Sequence, residues 1–250
     1  MIETDQRLSQ YLDIWQRKPV LREIYSSYYR RIMAVWKPGR ILEIGSGSGN
    51  FLQGQSSSVV RTDILPASWL GAVCDAQQLP FADASFDSIV MVDVLHHVER
   101  PVRFFREAER VLKPGGRFVC VEPAITPLSW PFFHFLHPEP VILNADPLVD
   151  GPLDPKRDPY DSNQAIPTLL VGRERERFRT MFPALRLVSA TRFDFFAYPL
   201  SGGFRPWSAL PNRAIDAILR FESYLEKPLG RLMAFRLLAV YEKFDGGSHP

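Results

Sequence analysis

Short apolar runs alternate with amphipathic stretches over the first half of the chain, and this alternation predicts a doubly wound α/β fold. Continuous apolar runs suit strands buried on both faces, whereas apolar spacings of three and four suit helices. The predicted strands before residue 124 are residues 41–44, 58–62, 72–74, 86–92 and 117–121. The predicted helices are residues 6–16, residues 20–35 and a helix that starts at Pro101 and is closed by residues 113–116.

The pattern changes in the second half of the chain, where residues 124–167 are rich in proline, aromatic residues and histidine. This stretch is predicted to be an inserted lid or binding loop, with an extended segment at residues 150–161. A poorly ordered surface excursion is the alternative interpretation. Helices at residues 173–181 and 213–225 then alternate with strands at 185–195 and 233–242, and the last strand is expected to form an antiparallel edge. The sheet therefore has seven strands and is mostly parallel.

We expect residues 1–250 to form a single domain with four parts. They are the N-terminal helices (1–36), a cofactor-binding core (37–123), the inserted segment (124–167) and the C-terminal half of the sheet (168–250).

Composition and charge narrow the functional classes. Hydrophobic residues make up 46% and charged residues 23%, which are ordinary values for a globular protein. The formal net charge of +2 gives no support to nucleic-acid binding, because the arginines are scattered. The N-terminus is polar, and no apolar run is long enough for a membrane span, so we expect a cytoplasmic protein. Cys74 and Cys120 are expected to be buried reduced thiols. The oligomeric state is left open.

A glycine-rich turn follows the first predicted strand. Ile41, Leu42 and Ile44 are strand residues, Glu43 lies among them, and the next residues are Gly-Ser-Gly-Ser-Gly at 45–49. Glycines at alternate positions let a ligand approach the backbone, which indicates a site for a nucleotide-type cofactor. A dinucleotide fingerprint requires glycine at position 50, which is Asn50, and no phosphate-binding Gly-Lys-Ser/Thr follows. A tight turn without a ligand is the alternative interpretation.

Acidic residues close the other strands of the first half. They are Asp63, Asp75, Asp93 and Glu122. Because ligands bind outside the carboxyl ends of parallel strands, these acids are predicted to meet at one rim. Asp63 and Asp75 are separated by 11 residues, so the connecting helix is expected to be reduced to a turn or two around residues 67–70.

The order and spacing of these motifs over residues 40–123 resemble the class I S-adenosylmethionine-dependent methyltransferases, particularly their small-molecule branch. The motifs are Glu43 to Gly49, Asp63, Asp75-Ala76 with Leu79-Pro80-Phe81, Phe86 to Asp93, Leu95-His96-His97-Val98 and Arg110 to Gly116. The resemblance implies a Rossmann-like methyltransferase fold and S-adenosyl-L-methionine as the cofactor.

The resemblance also implies roles for individual residues. Asp63 corresponds to the acid that binds both ribose hydroxyls, Asp75 to the acceptor for the adenine amino group, and Asp93 faces the methionine end. The implied cofactor-binding set is Glu43, Gly45, Ser46, Gly47, Gly49, Asp63, Ile64, Asp75, Ala76, Asp93 and Val94.

Methyl transfer needs a base where the acceptor carries a proton. His96 and His97, just after the fourth strand, are the predicted catalytic residues, although packing or helix capping is an alternative role for either of them. The other candidates are Asp93, Glu122, His134 and His137. His134 and His137 are three residues apart, but Pro138 and Pro140 argue against a regular helix there, so no metal is predicted.

The predicted function is transfer of a methyl group to an oxygen or carbon of a small, partly apolar metabolite. The Asp-Val-Leu-His at residues 93–96 lacks the Pro-Pro-aromatic turn of enzymes that methylate nucleobase amino groups, which disfavours DNA N-methylation. Two alternatives remain: a non-catalytic binding or scaffold module, and another adenosyl-cofactor reaction such as aminopropyl transfer.

Overall fold

A computed structural model describes residues 5–49 and 58–244. These residues form a seven-stranded sheet in the order β3-β2-β1-β4-β5-β7-β6, in which β7 is antiparallel to both of its neighbours. The strands are β1 (Ile41–Ile44), β2 (Val59–Asp63), β3 (Ala72–Val73), β4 (Phe86–Val92), β5 (Leu112–Pro123), β6 (Leu185–Phe193) and β7 (Arg236–Lys243). The predicted doubly wound, mostly parallel seven-stranded sheet is therefore confirmed.

Helices cover both faces of the sheet. They are α1 (Gln6–Arg17), α2 (Pro19–Val35), α3 (Pro101–Val111), α4 (Ser129–Phe135), α5 (Ile166–Val171), α6 (Arg175–Met181), α7 (Ala197–Ser201) and α8 (Ile215–Met233). Short 3₁₀ turns occupy Leu95–His97 and Asn212–Ala214. Pro19 lies in the first turn of α2, where its missing N–H removes no intrahelical hydrogen bond.

Alternate residues along the strands pack in two apolar clusters, one on each side of the sheet. Ile89 and Met91 of β4 face the cluster that contains α3 and α6, whereas Val90 faces the cluster that contains α2. The sheet is thus buried on both sides, and its strand ends are left to carry polar chemistry.

The last strand is antiparallel, as predicted, but it lies inside the sheet, so its predicted edge position is wrong. β7 pairs with β5 on one side and β6 on the other, and β6 forms the edge. The burial of the two strands explains the order. β7 is buried along most of its length, whereas most of β6 between its terminal residues is exposed, as suits an edge strand.

The connection between β2 and β3 differs from its prediction. Residues 64–71 contain no helix, and the chain reverses in a turn in which the Leu70 N–H donates to the Ala67 carbonyl at 3.3 Å. Because β3 has two residues, a short turn suffices to return the chain to the sheet. The predicted helix start at Phe51 and Leu52 lies outside the described residues.

The sequence pattern did not predict all the helices in the second half of the chain. Ser129–Phe135 and Ile166–Val171 are helical within or beside the segment predicted to be irregular, and α7 was not predicted. α8 continues to Met233, past the predicted end at Leu225 and through Pro228. Pro228 is exposed, so water can satisfy the carbonyl that loses its helical donor.

Within the described residues, no helix is both long and apolar enough to cross a membrane. Both cysteines are free, as expected; Cys120 is buried and Cys74 is half-buried.

A buried carboxyl joins α8 to α7. Glu222 accepts hydrogen bonds from the backbone N–H groups of Phe196 and Ala197 at 2.6 and 2.7 Å. Burial, together with the charge of Asp194, raises the pKa of Glu222 from 4.5 to about 7. Its ionisation therefore opposes folding as the pH rises from 4.5 to about 7.

Glu222→Gln should be more stable than the unmodified chain at pH 8 by up to about 3 kcal/mol, because a neutral amide accepts the same bonds without a buried charge. At pH 5 the difference should fall below about 1 kcal/mol, because the folded-state carboxyl is then protonated. Thermal unfolding at both values tests this, with the exposed Glu23→Gln as control. Glu43, whose pKa burial also raises to about 7, keeps part of the pH dependence in the variant. Equal gains at pH 5 and pH 8 would contradict the assignment.

Candidate active site

A cavity of about 860 Å³ opens at the carboxyl ends of the parallel strands. One half is formed by the glycine turn and the ends of β2 and β3, and the other half by aromatic and charged residues beyond β4. The glycine-turn half is lined by Glu43, Gly45, Ser46, Gly47, Asp63, Ile64, Asp75, Ala76 and Val94, which the sequence places in the cofactor-binding set. A cavity of this size accommodates a nucleoside-sized cofactor and a small acceptor together.

The glycine turn requires glycine for two different reasons. Gly45 has φ +69°, and a Cβ atom there would lie 2.2 Å from Cγ2 of Val94. Gly47 has φ +49°, and a Cβ atom would meet nothing within 4 Å. The first glycine permits close packing of the loop after β4, and the second exposes the backbone to the cavity.

Asp63 holds this turn in place. Its Oδ2 accepts from the Gly47 N–H at 2.8 Å, and its Oδ1 accepts from the Leu65 N–H at 2.9 Å. Burial raises the pKa of Asp63, and these N–H groups counteract the increase. The carboxylate oxygens keep further lone pairs for a ligand in the cavity.

Two buried polar atoms near the turn have no hydrogen-bond partner among the described residues. They are Oε2 of Glu43 and Oγ of Ser46, and Oε2 also lies 3.7 Å from Nε of Arg61 in an ion pair. Both side chains line the cavity beside the glycine turn, where polar atoms can accept hydrogen bonds from a ligand.

The end of β3 presents a second acid. Asp75 accepts from the backbone N–H of Gln77 at 2.8 Å and from its side-chain amide at 3.1 Å. Ala76 is buried and Ile64 is about half exposed, and both lie on the cavity wall. Asp75 is thus held by Gln77, a cavity residue that the sequence interpretation did not include.

Trp69 supports the turn from the other side. Its Nε1–H donates to the Gly47 carbonyl at 3.1 Å, and a Cβ atom on Gly49 would lie 2.9 Å from its ring. The short β2–β3 connection thus packs an aromatic ring against the glycine turn. Gly49 contributes by admitting Trp69; it is not among the residues that line the cavity.

Asp93 lies between the two halves of the cavity. It has φ +57°, a conformation that costs a non-glycine residue about 1–2 kcal/mol. Its carboxylate accepts from the Tyr25 hydroxyl at 2.7 Å and from the guanidinium of Arg236. Arg236 is fully buried, with its guanidinium carbon 3.8 Å from the ring centre of Tyr198. Sequence reasoning missed Arg236, although a lone cation in the apolar run of β7 was a usable signal.

His96 is held between two carboxylates. Its Nδ1 lies 2.6 Å from Glu122 and its Nε2 lies 3.2 Å from Glu139. Burial opposes the charged form, but the two carboxylates outweigh it and raise the pKa of His96 to about 10. Glu122 also accepts from the backbone N–H groups of Val94 and Leu95 at 2.9 and 2.7 Å. His96 is therefore a fixed cation that orders the loop after β4.

His97 has the opposite character. Burial and the neighbouring charge of His96 lower the pKa of His97 to about 4, so its imidazole is neutral near pH 7. Its Nδ1 is buried and has no hydrogen-bond partner among the described residues. The hydroxyl of Tyr160, whose ring centre lies 6.3 Å away, is likewise unpartnered there. Both side chains line the cavity.

His134 and His137 differ in their position relative to the cavity. His137 lines the cavity, whereas the exposed His134 stacks on Trp130 at 4.8 Å and does not line it. One ligand atom each from His96, His97 and Glu139 lies within 4.8 Å of the others. Both nitrogens of His96 already face carboxylates, which argues against their use as metal ligands. The predicted absence of a metal stays a prediction.

These features define a class I methyltransferase architecture. Residues 42–120 match the family described as Methyltransferase domain. A SAM-dependent methyltransferase structure from Archaeoglobus fulgidus superposes with a TM-score of 0.51 at 18% identity, over 89% of this chain and 94% of that one, which shows the fold. The match over residues 42–120 and the shared fold agree with the resemblance to S-adenosylmethionine-dependent methyltransferases that the sequence predicted.

Curated relatives match a smaller part of the chain. The ubiquinone/menaquinone biosynthesis C-methyltransferase of Desulfotalea psychrophila is 42% identical over 65 residues, which cover 25% of this chain and 26% of that protein. The probable tRNA methyltransferase 9B of Mus musculus is 35% identical over 107 residues, covering 36% and 23%. The chain thus spans about a quarter of the length of these relatives.

The methyltransferase match implies S-adenosylmethionine as the cofactor, and the residues present fit it. Gly47 leaves its backbone open to the cavity, Ser46 lines the cavity beside it, and Asp63 ends the second strand with a carboxylate.

Proposed function

We propose that this protein transfers a methyl group from S-adenosylmethionine to a ring carbon of a small, electron-rich aromatic metabolite with an apolar part. The observation that carries the proposal is the shared cavity, in which His97 offers an unpartnered nitrogen near pH 7. The glycine-turn half is assigned to the cofactor, and the aromatic half to the acceptor.

The basicity of His97 favours carbon over oxygen as the accepting atom. A base with a pKa of about 4 is poorly matched to a phenol. Full proton transfer from a phenol of pKa about 10 to such a base costs roughly 8 kcal/mol. A ring carbon that has just gained a methyl group holds a far more acidic proton, which a weak base removes readily.

The bound cofactor supplies an activated methyl group, so the protein mainly positions the acceptor and excludes water. S-adenosylmethionine held by the glycine turn and Asp63 would supply the methyl group to the ring carbon and would leave as the neutral thioether. The ring proton then passes to Nδ1 of His97. The cation of His96 fixes His97 through the shared 3₁₀ turn.

Aromatic and apolar side chains form the acceptor half. They are Tyr11, Tyr25, Phe132, Phe133, Leu136, Tyr160, Tyr198, Phe204 and Trp207. α1 closes over this half, since Arg7 pairs with Asp158 at 2.9 Å and lies 3.9 Å above the Tyr160 ring. Such a wall suits an aromatic ring with an apolar substituent.

One of the two relatives supports the same choice, since it is named for C-methylation in the biosynthesis of ubiquinone and menaquinone. The other is named a probable tRNA methyltransferase, which points to a different acceptor. The acceptor we favour is a hydroquinone or a related hydroxylated ring.

The test is incubation of the protein with a soluble hydroquinone and methyl-labelled S-adenosylmethionine, followed by NMR of the product. We expect the label on a ring carbon. Labelled ethers would contradict carbon transfer. A protein that binds the cofactor but labels nothing in a metabolite extract would support the non-catalytic alternative. Turnover with decarboxylated cofactor in place of the ordinary one would support aminopropyl transfer.

A further inference from the structure

We propose that the exposed face of α8, together with α4 and its flanks, forms a docking surface for an anionic lipid membrane. This lipid-docking surface is defined by Leu128, Phe135, Leu136, Leu200, Trp207, Phe221, Tyr224 and Leu232. Fifteen large apolar side chains are exposed within residues 5–49 and 58–244, and these are eight of them. All eight come from three short segments, residues 128–136, 200–207 and 221–232. Such concentration marks an interaction site and departs from the scattered exposure of ordinary surfaces.

The solvent face of α8 is apolar, which reverses the usual pattern of a surface helix. Phe221, Tyr224 and Leu232 are 56%, 79% and 53% exposed. At 100° per residue, these three positions fall within one narrow stripe, with the exposed Pro228 between them. The opposite side of the helix buries Ile215 and Glu222 against the domain.

The stripe continues toward the mouth of the cavity. The Leu128 N–H donates to the Leu232 carbonyl at 3.0 Å, which joins the start of α4 to the end of α8. Phe135 and Leu136, at the other end of α4, are 69% and 63% exposed. The Leu136 carbonyl accepts from Arg205 at 3.1 Å, which brings in the segment that contains Trp207.

Two residues of this surface also line the cavity. Leu136 and Trp207 contribute to both, so an apolar acceptor can pass from the surface into the acceptor half. This role in delivery rests on the proposed function, whereas binding to the surface does not.

The net charge on the outward side of α8 indicates the kind of partner that this surface binds. The charged residues on the outward side of α8 are Asp216, Arg220, Lys227 and Arg231, an excess of two positive charges. The remaining acids of α8 face inward: Glu222 is buried and Glu226 pairs with Arg31. An apolar stripe flanked by cations matches an anionic lipid surface, where apolar side chains enter the interface and cations meet the head groups. A second copy of the chain would present the same excess of positive charge and repel it.

The experiment is co-sedimentation of the full chain with vesicles of phosphatidylcholine alone or mixed with phosphatidylglycerol. We expect binding to the anionic vesicles and weakening of that binding by salt. The triple variant Phe221→Ser, Tyr224→Ser, Leu232→Ser should lose at least about tenfold in partitioning, because each side chain gives up apolar burial. Lys227→Glu with Arg231→Glu should lose binding to the anionic vesicles. The matched control is Val188→Ser, an exposed apolar residue on the edge strand β6 that should bind like the unmodified chain.

Equal sedimentation of the triple variant and the unmodified chain would overturn the proposal, as would no binding by either. A dimer in solution that the triple variant converts to a monomer would assign the face to a second copy and equally overturn it. Methyl transfer to a soluble hydroquinone is measured in parallel. Transfer without vesicle binding refutes the docking surface alone, and vesicle binding without transfer refutes the proposed function alone.

Discussion

Asp63→Ala is expected to weaken the binding of S-adenosylmethionine or S-adenosylhomocysteine by about 10- to 100-fold. Hydrogen bonds to a charged group contribute roughly 1.5–3 kcal/mol each, and the variant loses those proposed to the ribose. The Gly47 N–H also loses its acceptor at 2.8 Å, so the glycine turn is less well ordered. Isothermal titration calorimetry measures the change directly.

The matched control is Asp83→Ala, an exposed acid that pairs with Arg110 on the far side of the cofactor-binding core. It should bind the cofactor like the unmodified chain. Gly47→Val should behave like Asp63→Ala, because a β-branched residue is strained at φ +49°. Unaltered affinity in both site variants, with circular dichroism showing a folded protein, would contradict the assigned cofactor site.

His97→Ala is expected to lower kcat by about 10²- to 10³-fold while leaving cofactor affinity unchanged. General bases contribute on this scale, and His97 combines a neutral imidazole, a buried nitrogen without a hydrogen-bond partner among the described residues and a place in the cavity wall. His134→Ala is the control, since that exposed ring stacks on Trp130 outside the cavity. Single-turnover rates with labelled cofactor separate chemistry from product release.

The pH profile gives a second readout for His97. An ordinary histidine base would produce a rise in kcat/KM near pH 6.5. Here the pKa of about 4 places that rise below the neutral range, so the rate should stay flat between about pH 5.5 and 8. A rise centred near pH 6.5, or an unchanged rate in His97→Ala, would exclude His97 as the base.

Local patterns were sufficient to predict the strands of the first half of the fold. The apolar run that ends at Ile44 and the strand that ends at Asp93 each carry a strong local signal for a buried parallel strand. The partner strands of β7 could not be inferred from local patterns, because β5 is distant from it in the sequence. The apolar residues on both faces of β7 did indicate an interior strand.

The cavity-lining residues that lie at or just after the end of a strand could be predicted from the sequence. Gly47, Asp63 and Asp75 lie on the cavity wall where the strand order places them. The contrast between His96 and His97 was not predictable, since it depends on Glu139, which reaches the site from a different segment. Arg236 likewise meets Asp93 through a separation of 143 residues. No local pattern reports such pairings.

The interior position of β7 also fixes an order of events during synthesis. β6 leaves the ribosome before the strand that joins it to the rest of the sheet, so it has no partner strand until β7 emerges. Arg236, the first residue of β7, brings the guanidinium that pairs with Asp93. The strand that completes the sheet therefore also brings the cation that pairs with the half-buried Asp93 beside the cavity.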